Sequence, residues 1–304
     1  VRVIRGLSNI QAADRGAVVT LGNFDGVHLG HQALLEQLRR AAPEAPRCLV
    51  CFEPQPLEYL RPDLAPVRLQ SLSEKLRFLR AQGLEQVLVL RFDQALASMP
   101  PQTFVTKVLV EGLGACCVVI GDDWRFGHQR AGDVNLLKAM AAQGGYRVEQ
   151  LDTVAQARRR ISSTRVREAL QAGDLADVQG CLGRNFRLRG RVIHGQKLGR
   201  KLGAPTANVA LRSPSPLRHG VYCVRLDGLP GVANIGVRPT IGGDAEHLEV
   251  HLLEGHHELY DHIVTVEFEA FLRPEQAFAD LQQLQQAIAA DVAQAQQHFQ
   301  QDIA

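Results

Sequence analysis

The stretch from Ala17 to His31 constrains this chain most. An apolar run, Ala17 to Leu21, leads into the turn Gly22-Asn23-Phe24-Asp25-Gly26. His28-Leu29-Gly30-His31 follows, and a helical pattern starts near Gln32. Strand, tight turn and helix start in that order bring unpaired backbone N–H groups and the positive end of a helix dipole to one junction, a ready anion site. Two imidazoles one helical turn apart can face the same phosphate chain, and the glycines let backbone approach a ligand closely. The element points to nucleotide triphosphate chemistry without a Walker-type loop. A bare His-x-x-His pair is a weak signal and more often has a structural or metal-related role, although no third ligand lies nearby in sequence.

A length of 304 residues gives a prior of about two domains. The 45% hydrophobic and 22% charged content is that of a globular chain able to bury a core. A net charge of +2 gives no case for binding nucleic acid or a membrane surface. No apolar stretch approaches the roughly 20 residues of a membrane span, and Val1 to Asp14 lacks the layout of a signal peptide. Of the six cysteines, Cys48 and Cys51 have redox or zinc half-site spacing. They lie inside an apolar run, and in a strand their side chains point to opposite faces. No second pair with zinc spacing exists. Buried free thiols in a reducing cytoplasm are therefore expected. The oligomeric state is not legible.

Apolar runs at 17–21, 47–52, 87–92 and 116–121 alternate with helical patterns near 32–42, 71–82 and 101–112. Ser71-Leu72-Ser73-Glu74 is a capping-box string, and Gly83 sits where that helix should stop. A further helix follows Asp133 and a strand covers 146–151. Such alternation predicts a parallel, doubly wound sheet whose ligands bind beyond the carboxyl ends of its strands. From Phe186 the helical period gives way to short alternating runs at 187–193, 220–226, 247–253 and 262–271, separated by Gly/Pro turns. These predict an antiparallel sheet or closed barrel. A final helix, roughly 274–299, carries Phe278, Leu281, Leu284 and Ile288 as its apolar stripe.

Three further strings could carry chemistry. The loop Gly121 to Asp133, with Asp123, Trp124 and Arg125, could line a nucleotide pocket or be a solvated loop with one aromatic anchor. Ile161-Ser162-Ser163-Thr164-Arg165-Val166-Arg167 follows the basic run Arg158 to Arg160. Its hydroxyls and guanidiniums suit phosphate oxygens but equally an ordinary N-cap with exposed arginines. In the second half, Gly195, Gly199 and Gly203 interleave with Lys197, Arg200 and Lys201, either as a basic loop over phosphates or as a flexible hairpin. Thr206 and Asn208, at i and i+2 of an extended segment, share a face and could ligate Mg²⁺ bridged to ATP. Glu249 shares a face with His251, as a surface residue or as a base.

Taken together these strings resemble, in order and over nearly the whole chain, the prokaryotic bifunctional riboflavin kinase/FMN adenylyltransferases. Thr20 to His31 is similar to the His-x-Gly-His signature of nucleotidyltransferases, and Gly190 to Asn208 to the riboflavin kinase signature. The fold class implied is α/β followed by β. A Rossmann-like doubly wound parallel sheet (1–184) would precede an antiparallel riboflavin-kinase β-barrel with a C-terminal helix (185–304). The resemblance implies that His28 and His31 polarise the ATP phosphates. Gly22, Asn23, Phe24, Asp25, Asp123, Arg160, Ser162, Ser163, Thr164 and Arg167 would complete that ATP site. Gly195, Lys197, Gly199, Arg200, Lys201 and Gly203 would hold ATP in the kinase, Thr206 and Asn208 would hold Mg²⁺, and Glu249 would be the base. Gln55, Arg125, Arg273 and Glu275 would face flavin. The implied substrates are riboflavin, FMN and ATP. Three positions depart from the family pattern: Gln55 stands for a histidine, Trp124 for a phenylalanine and Ala204 for a phenylalanine. A flavin-binding storage or regulatory protein that has lost one or both activities is the competing expectation.

Overall fold

The structure, a computed structural model, describes residues 1–157, 159–194, 206–211, 213–240, 243–255 and 258–301, with backbone alone at 238–240 and 243–245. The chain divides into two compact units, Val1–Ser162 and Ser163–Ala304.

The first unit is built on a six-stranded parallel sheet of order β1-β4-β3-β2-β5-β6. Its strands are β1 (Arg2–Arg5), β2 (Val18–Leu21), β3 (Arg47–Glu53), β4 (Gln86–Arg91), β5 (Cys117–Gly121) and β6 (Arg147–Leu151). Helices α1 (Leu29–Ala41), α2 (Pro56–Leu60) and α3 (Leu72–Ala81) connect the first strands. Short α4 (Gln94–Ala97) and α5 (Pro101–Phe104) follow, α5 continuing as a wider π-type turn over Val105–Gly112, and α6 (Val134–Gly144) precedes β6. Residues of the central strands alternate between two cores, one on each face of the sheet. That double burial is why the runs read as continuously apolar. It also separates the two thiols: Cys48 lies in one core and Cys51 in the other. Chain order runs from β2 through β3 to β4 on one side and resumes with β5 on the other side of β2. The sheet therefore has its switch point between β2 and β5, where ligands of such sheets bind. β1 escaped the sequence reading because Val3 and Ile4 are flanked by arginines.

The change of pattern at Phe186 marks the first barrel strand, but the second unit begins earlier, at Ser163. The helices α7 (Ser163–Ala172) and α8 (Leu175–Leu182) belong with the barrel. Arg218 N–H donates to Leu170 O at 3.1 Å, and a Cβ at Gly173 would lie 3.0 Å from the Phe271 ring. Before them, β7 (Ala155–Gln156) and β8 (Arg159–Arg160) form a small antiparallel pair. The barrel closes in the order β10-β13-β12-β11-β14-β9, antiparallel throughout. Its strands are β9 (Phe186–Ile193), β10 (Thr206–Ala210), β11 (Gly220–Leu226), β12 (Leu229–Thr240), β13 (Gly243–Leu252) and β14 (Ile263–Pro274).

The last helix, α9 (Leu281–Gln301), corrects two expectations. It starts later than 274, because β14 keeps pairing with β11 as far as Pro274 opposite Gly220. Its docked face also lies further along: Ala295 and Phe299 pack with Val221, Cys223 and Val232, while Leu281 is 58% exposed.

Candidate active site

A cavity of about 540 Å³ opens at the carboxyl ends of the first unit's strands. The turn after β2 supplies Gly22, Asn23, Phe24, His28 and His31 to its wall. Gln55 comes from the start of α2, Asp123 and Arg125 from the loop after β5, and Arg160 from β8. The sequence-selected residues of this unit thus converge, apart from Asp25 and Ser162.

The turn is held tightly. Gly26 (φ 80°), Phe24 (φ 50°) and Val27 (φ 40°) all occupy left-handed backbone, a conformation that persists only when its surroundings fix it. Phe24 is buried, and both Asp25 carboxylate oxygens lie 3.1 Å from the Leu69 N–H that donates to them. Asp25 is therefore a brace behind the wall. His28 caps α1: its Nδ1 accepts the His31 N–H at 3.3 Å. The rings of Phe24, His31 and His28 form one stack, with centroids 4.3 and 3.6 Å apart. Burial, then the neighbouring His28, then Lys75 hold the His31 pKa well below the usual imidazole range. His31 is therefore neutral near pH 7. A neutral imidazole offers one N–H donor and one acceptor.

Three buried polar atoms on this wall lack a protein partner among the described residues: His31 Nδ1, Asn23 Oδ1 and Gln55 Nε2. Native proteins pair such atoms, so a cluster of them in one cavity marks where a polar ligand sits. The Gln55 position is itself secured, its backbone N–H donating to Glu58 Oε2 at 2.8 Å. Arg68 bridges Glu58 and Glu53, and its hydrogen bond holds the Glu58 carboxyl below the ordinary range. Across the cavity, Arg160 pairs with Asp123 at 2.6 Å, and Arg125 pairs at 2.6 Å with Asp133, the N-cap of α6. Trp124 stacks on Phe126 at 4.7 Å.

Ser163, Thr164 and Arg167 lie on the first turns of α7, in the second unit. Arg165, on the same helix, is 6% exposed and engages Asp177 of α8 through two nitrogens, Nε at 3.0 Å. The motif's first arginine thus joins the two helices.

On the barrel, Glu249 of β13 stands directly opposite Asn208 of β10 and Asn234 of β12. Thr206 stands opposite His251. Facing residues of antiparallel strands project to the same side, so Thr206, Asn208, Glu249 and Asn234 form one oxygen-rich patch on the outer face. Val209, Leu248 and Val250 fill the interior. Hydroxyl, amide and carboxylate oxygens are the ligand type that a hard divalent cation takes. Asn234 was not singled out from sequence; its place in the register is what reveals it. Arg273 is held by Asp291 of α9 through two bonds of 2.8 Å. The Glu275 carboxylate lies against Gly236 of β12, where a Cβ would overlap it. Gly195, Lys197, Gly199, Arg200, Lys201 and Gly203 lie outside the described residues.

The missed residue in the first unit is Lys75. It is 1% exposed, and its Nζ donates to Asn23 O at 2.6 Å. The signal was present: Lys75 falls on the apolar stripe of α3, three residues after Leu72 and four before Leu79.

A phosphate-suited loop at the switch point of a parallel sheet, followed by a closed barrel with an oxygen-rich face, defines a two-part nucleotide-using enzyme class. Sequence comparison gives its family. The model for FAD synthetases matches residues 10–165 and that for riboflavin kinases matches residues 182–299. The bifunctional riboflavin kinase/FMN adenylyltransferase of Pseudomonas fluorescens is 48% identical over 301 residues, covering 97% of this chain and 96% of that protein. The Escherichia coli K12 protein of the same name is 44% identical, with 98% of each chain covered. The chain belongs to the bifunctional riboflavin kinase/FMN adenylyltransferase family. A solved structure described as a macrolide-efflux protein from Streptococcus pneumoniae shares the fold over 96% of this chain and 97% of that one, at 29% identity and a TM-score of 0.85. Among the described residues here, no helix is long and apolar enough to cross a membrane.

Proposed function

We propose that this chain makes flavin cofactors in two steps, phosphorylating riboflavin with ATP in the barrel and adenylylating the resulting FMN with a second ATP in the first unit. The observation that carries the reading is the presence in one chain of both family halves, each with its own polar constellation.

In the barrel, Glu249 accepts the proton of the riboflavin 5′-hydroxyl as that oxygen attacks the γ-phosphorus and ADP leaves. Thr206 and Asn208 fit Mg²⁺, which would supply charge neutralisation on the ATP phosphates. The basic stretch Gly195 to Gly203 contacts ATP, and Arg273 and Glu275 shape the flavin side. Arg273 does so from a fixed position, since Asp291 orients it.

In the first unit, an FMN phosphate oxygen attacks the α-phosphorus of ATP and pyrophosphate leaves. No protein nucleophile is needed, so positioning and charge stabilisation do the work. His28 and His31 donate to the phosphates from the end of α1. Gly22, Asn23 and Phe24 shape the wall, and Asp25 holds the turn. Asp123 and Arg160 line the nucleotide side, and Ser162, Ser163, Thr164 and Arg167 add phosphate contacts. Gln55 and Arg125 face FMN, Gln55 with the amide donor that a histidine would otherwise supply.

The test is a time course with riboflavin, ATP and Mg²⁺ that resolves FMN and FAD. FMN rising first and FAD later is the expected result. Consumption of neither substrate, with FMN supplied as a control and flavin still bound, would replace the reading with that of a flavin-binding protein.

A further inference from the structure

We propose that Lys75 is a positioning residue of the adenylyl-transfer site, fixing the Gly22–Asp25 turn through the Asn23 carbonyl and placing a buried cation behind the His28–His31 pair. The inference rests on the adenylyl-transfer reading above and extends it to a residue outside the cavity wall.

Three observations carry it. Lys75 is among the largest fully buried side chains of the chain, and lysine is almost never fully buried without a partner. Its hydrogen-bond partner is a neutral carbonyl, Asn23 O at 2.6 Å, and among the described residues no carboxylate lies within ion-pair distance of it. A desolvated cation facing only a neutral oxygen is costly unless an anion completes the site. The cavity in front of it is where the ATP polyphosphate would lie, and that polyphosphate supplies the missing counter-charge.

The third observation is the connection between Lys75 and the histidines. The bond ends on Asn23, whose neighbour Phe24 is buried and stacks on His31 at 4.3 Å; His31 stacks on His28 at 3.6 Å. Releasing the Asn23 carbonyl therefore loosens the left-handed Phe24 and both rings. The charged and titratable groups acting on His31 are His28, the N-cap of α1, and Lys75 from α3, while Asp25 of the same turn is engaged by the Leu69 N–H. Asp123 and Arg160 stand on the other cavity wall. Cys51 of β3 and Glu58 of α2 also feel the Lys75 charge.

Lys75→Met and Lys75→Gln in the full chain separate the two effects. Methionine keeps the stem and loses both the bond and the charge; glutamine, one atom shorter, loses the charge but retains an N–H donor directed toward Asn23 O. Formation of FAD from FMN and ATP is followed against pH, with riboflavin phosphorylation in the same sample as control. For Lys75→Met, kcat/KM for ATP falls about tenfold or more, and the inflection due to His31 moves to higher pH because a like charge is gone. Lys75→Gln recovers part of the rate but keeps the moved inflection. Riboflavin phosphorylation is unchanged in both.

Unchanged adenylylation and an unmoved inflection in Lys75→Met overturn the proposal. So does loss of the first unit's melting transition in both variants, which would assign the buried ammonium to the fold alone. Failure of the unaltered chain to make FAD from FMN overturns the adenylyl-transfer reading itself. That outcome is read before any variant is compared.

Discussion

Gly30→Ala should raise the stability of α1 and lower adenylyl transfer, two effects of opposite sign from one methyl group. Gly30 sits in the first turn of α1 at ordinary helical backbone, so alanine fits the chain path. In a helix interior the exchange gains up to about 1 kcal/mol, and less in a first turn. The new Cβ would lie 3.1 Å from His28 Cε1 and from His28 Nδ1, so the ring must give by a few tenths of an ångström. It has little freedom to do so. The His31 ring lies 3.6 Å away, and Nδ1 is bonded to the His31 N–H. Misplacement by 1 Å costs about a hundredfold in rate, so a shift of roughly half that costs about tenfold, or about 1.4 kcal/mol of transition-state stabilisation. The assay is pyrophosphate release from FMN and ATP, with riboflavin phosphorylation as the internal control and thermal melting for stability. Adenylyl transfer at the unaltered rate would refute the reasoning, because it would mean that the spacing of the His28 ring does not matter to the reaction.

Three further outcomes follow from the same geometry. Asp25→Ala leaves the buried Leu69 N–H without its acceptor and should cost about 1.5–3 kcal/mol by denaturant titration; a midpoint equal to that of the unaltered chain would remove Asp25 as a brace. Burial pushes the thiols of Cys48 and Cys223 up to about 12 and those of Cys51 and Cys117 up to about 11, so a thiol reagent at pH 8 should leave these four unlabelled until the chain is unfolded; rapid labelling in the native state would contradict their burial. Glu58 is held below its ordinary 4.5 by Arg68, so its contribution is complete above that pH and is lost as pH falls through the lowered value. The stability gap between the unaltered chain and Glu58→Gln should therefore shrink below pH 4.5, and a gap that persists to the acid limit would show that Arg68 is not its source.

Much of this arrangement is legible in the sequence, for a physical reason. The strands of the first unit are buried on both faces, so they read as unbroken apolar runs, and the turn after β2 is local, so its glycines and histidines stand side by side. What the sequence conceals is the set of partners that hold that turn. Asp25 is bonded by Leu69, 44 residues on, and Asn23 by Lys75, 52 residues on. Neither separation leaves a periodic trace. Arg165 is similar: as a residue in a phosphate-suited string it reads as a ligand, and only the packing of α7 on α8 turns it toward Asp177. The terminal helix is hard to bound from sequence for the opposite reason. Leu281, Leu284 and Ile288 do make a helical stripe, with Phe278 left before the helix starts, but a stripe is docked only where a surface meets it, and the barrel meets Ala295 and Phe299 instead.

The first-unit cavity also separates what the fold needs from what the ligand needs. Asp25, Glu58, Arg68 and Asp133 are all satisfied within the protein. They fix the turn after β2, the start of α2 and the loop after β5. The atoms left over, His31 Nδ1, Asn23 Oδ1 and Gln55 Nε2, belong to three side chains that those braces position. An unmade hydrogen bond at a buried atom costs about 1–3 kcal/mol, so these three atoms are where a polar ligand has most to offer. A ligand that satisfies them gains affinity from groups already oriented, and by linkage it stabilises the unit that holds them. Gln55 shows the logic most clearly. Its backbone is secured by Glu58 and its amide nitrogen is buried without a protein partner among the described residues, so a fixed backbone presents a donor to the cavity.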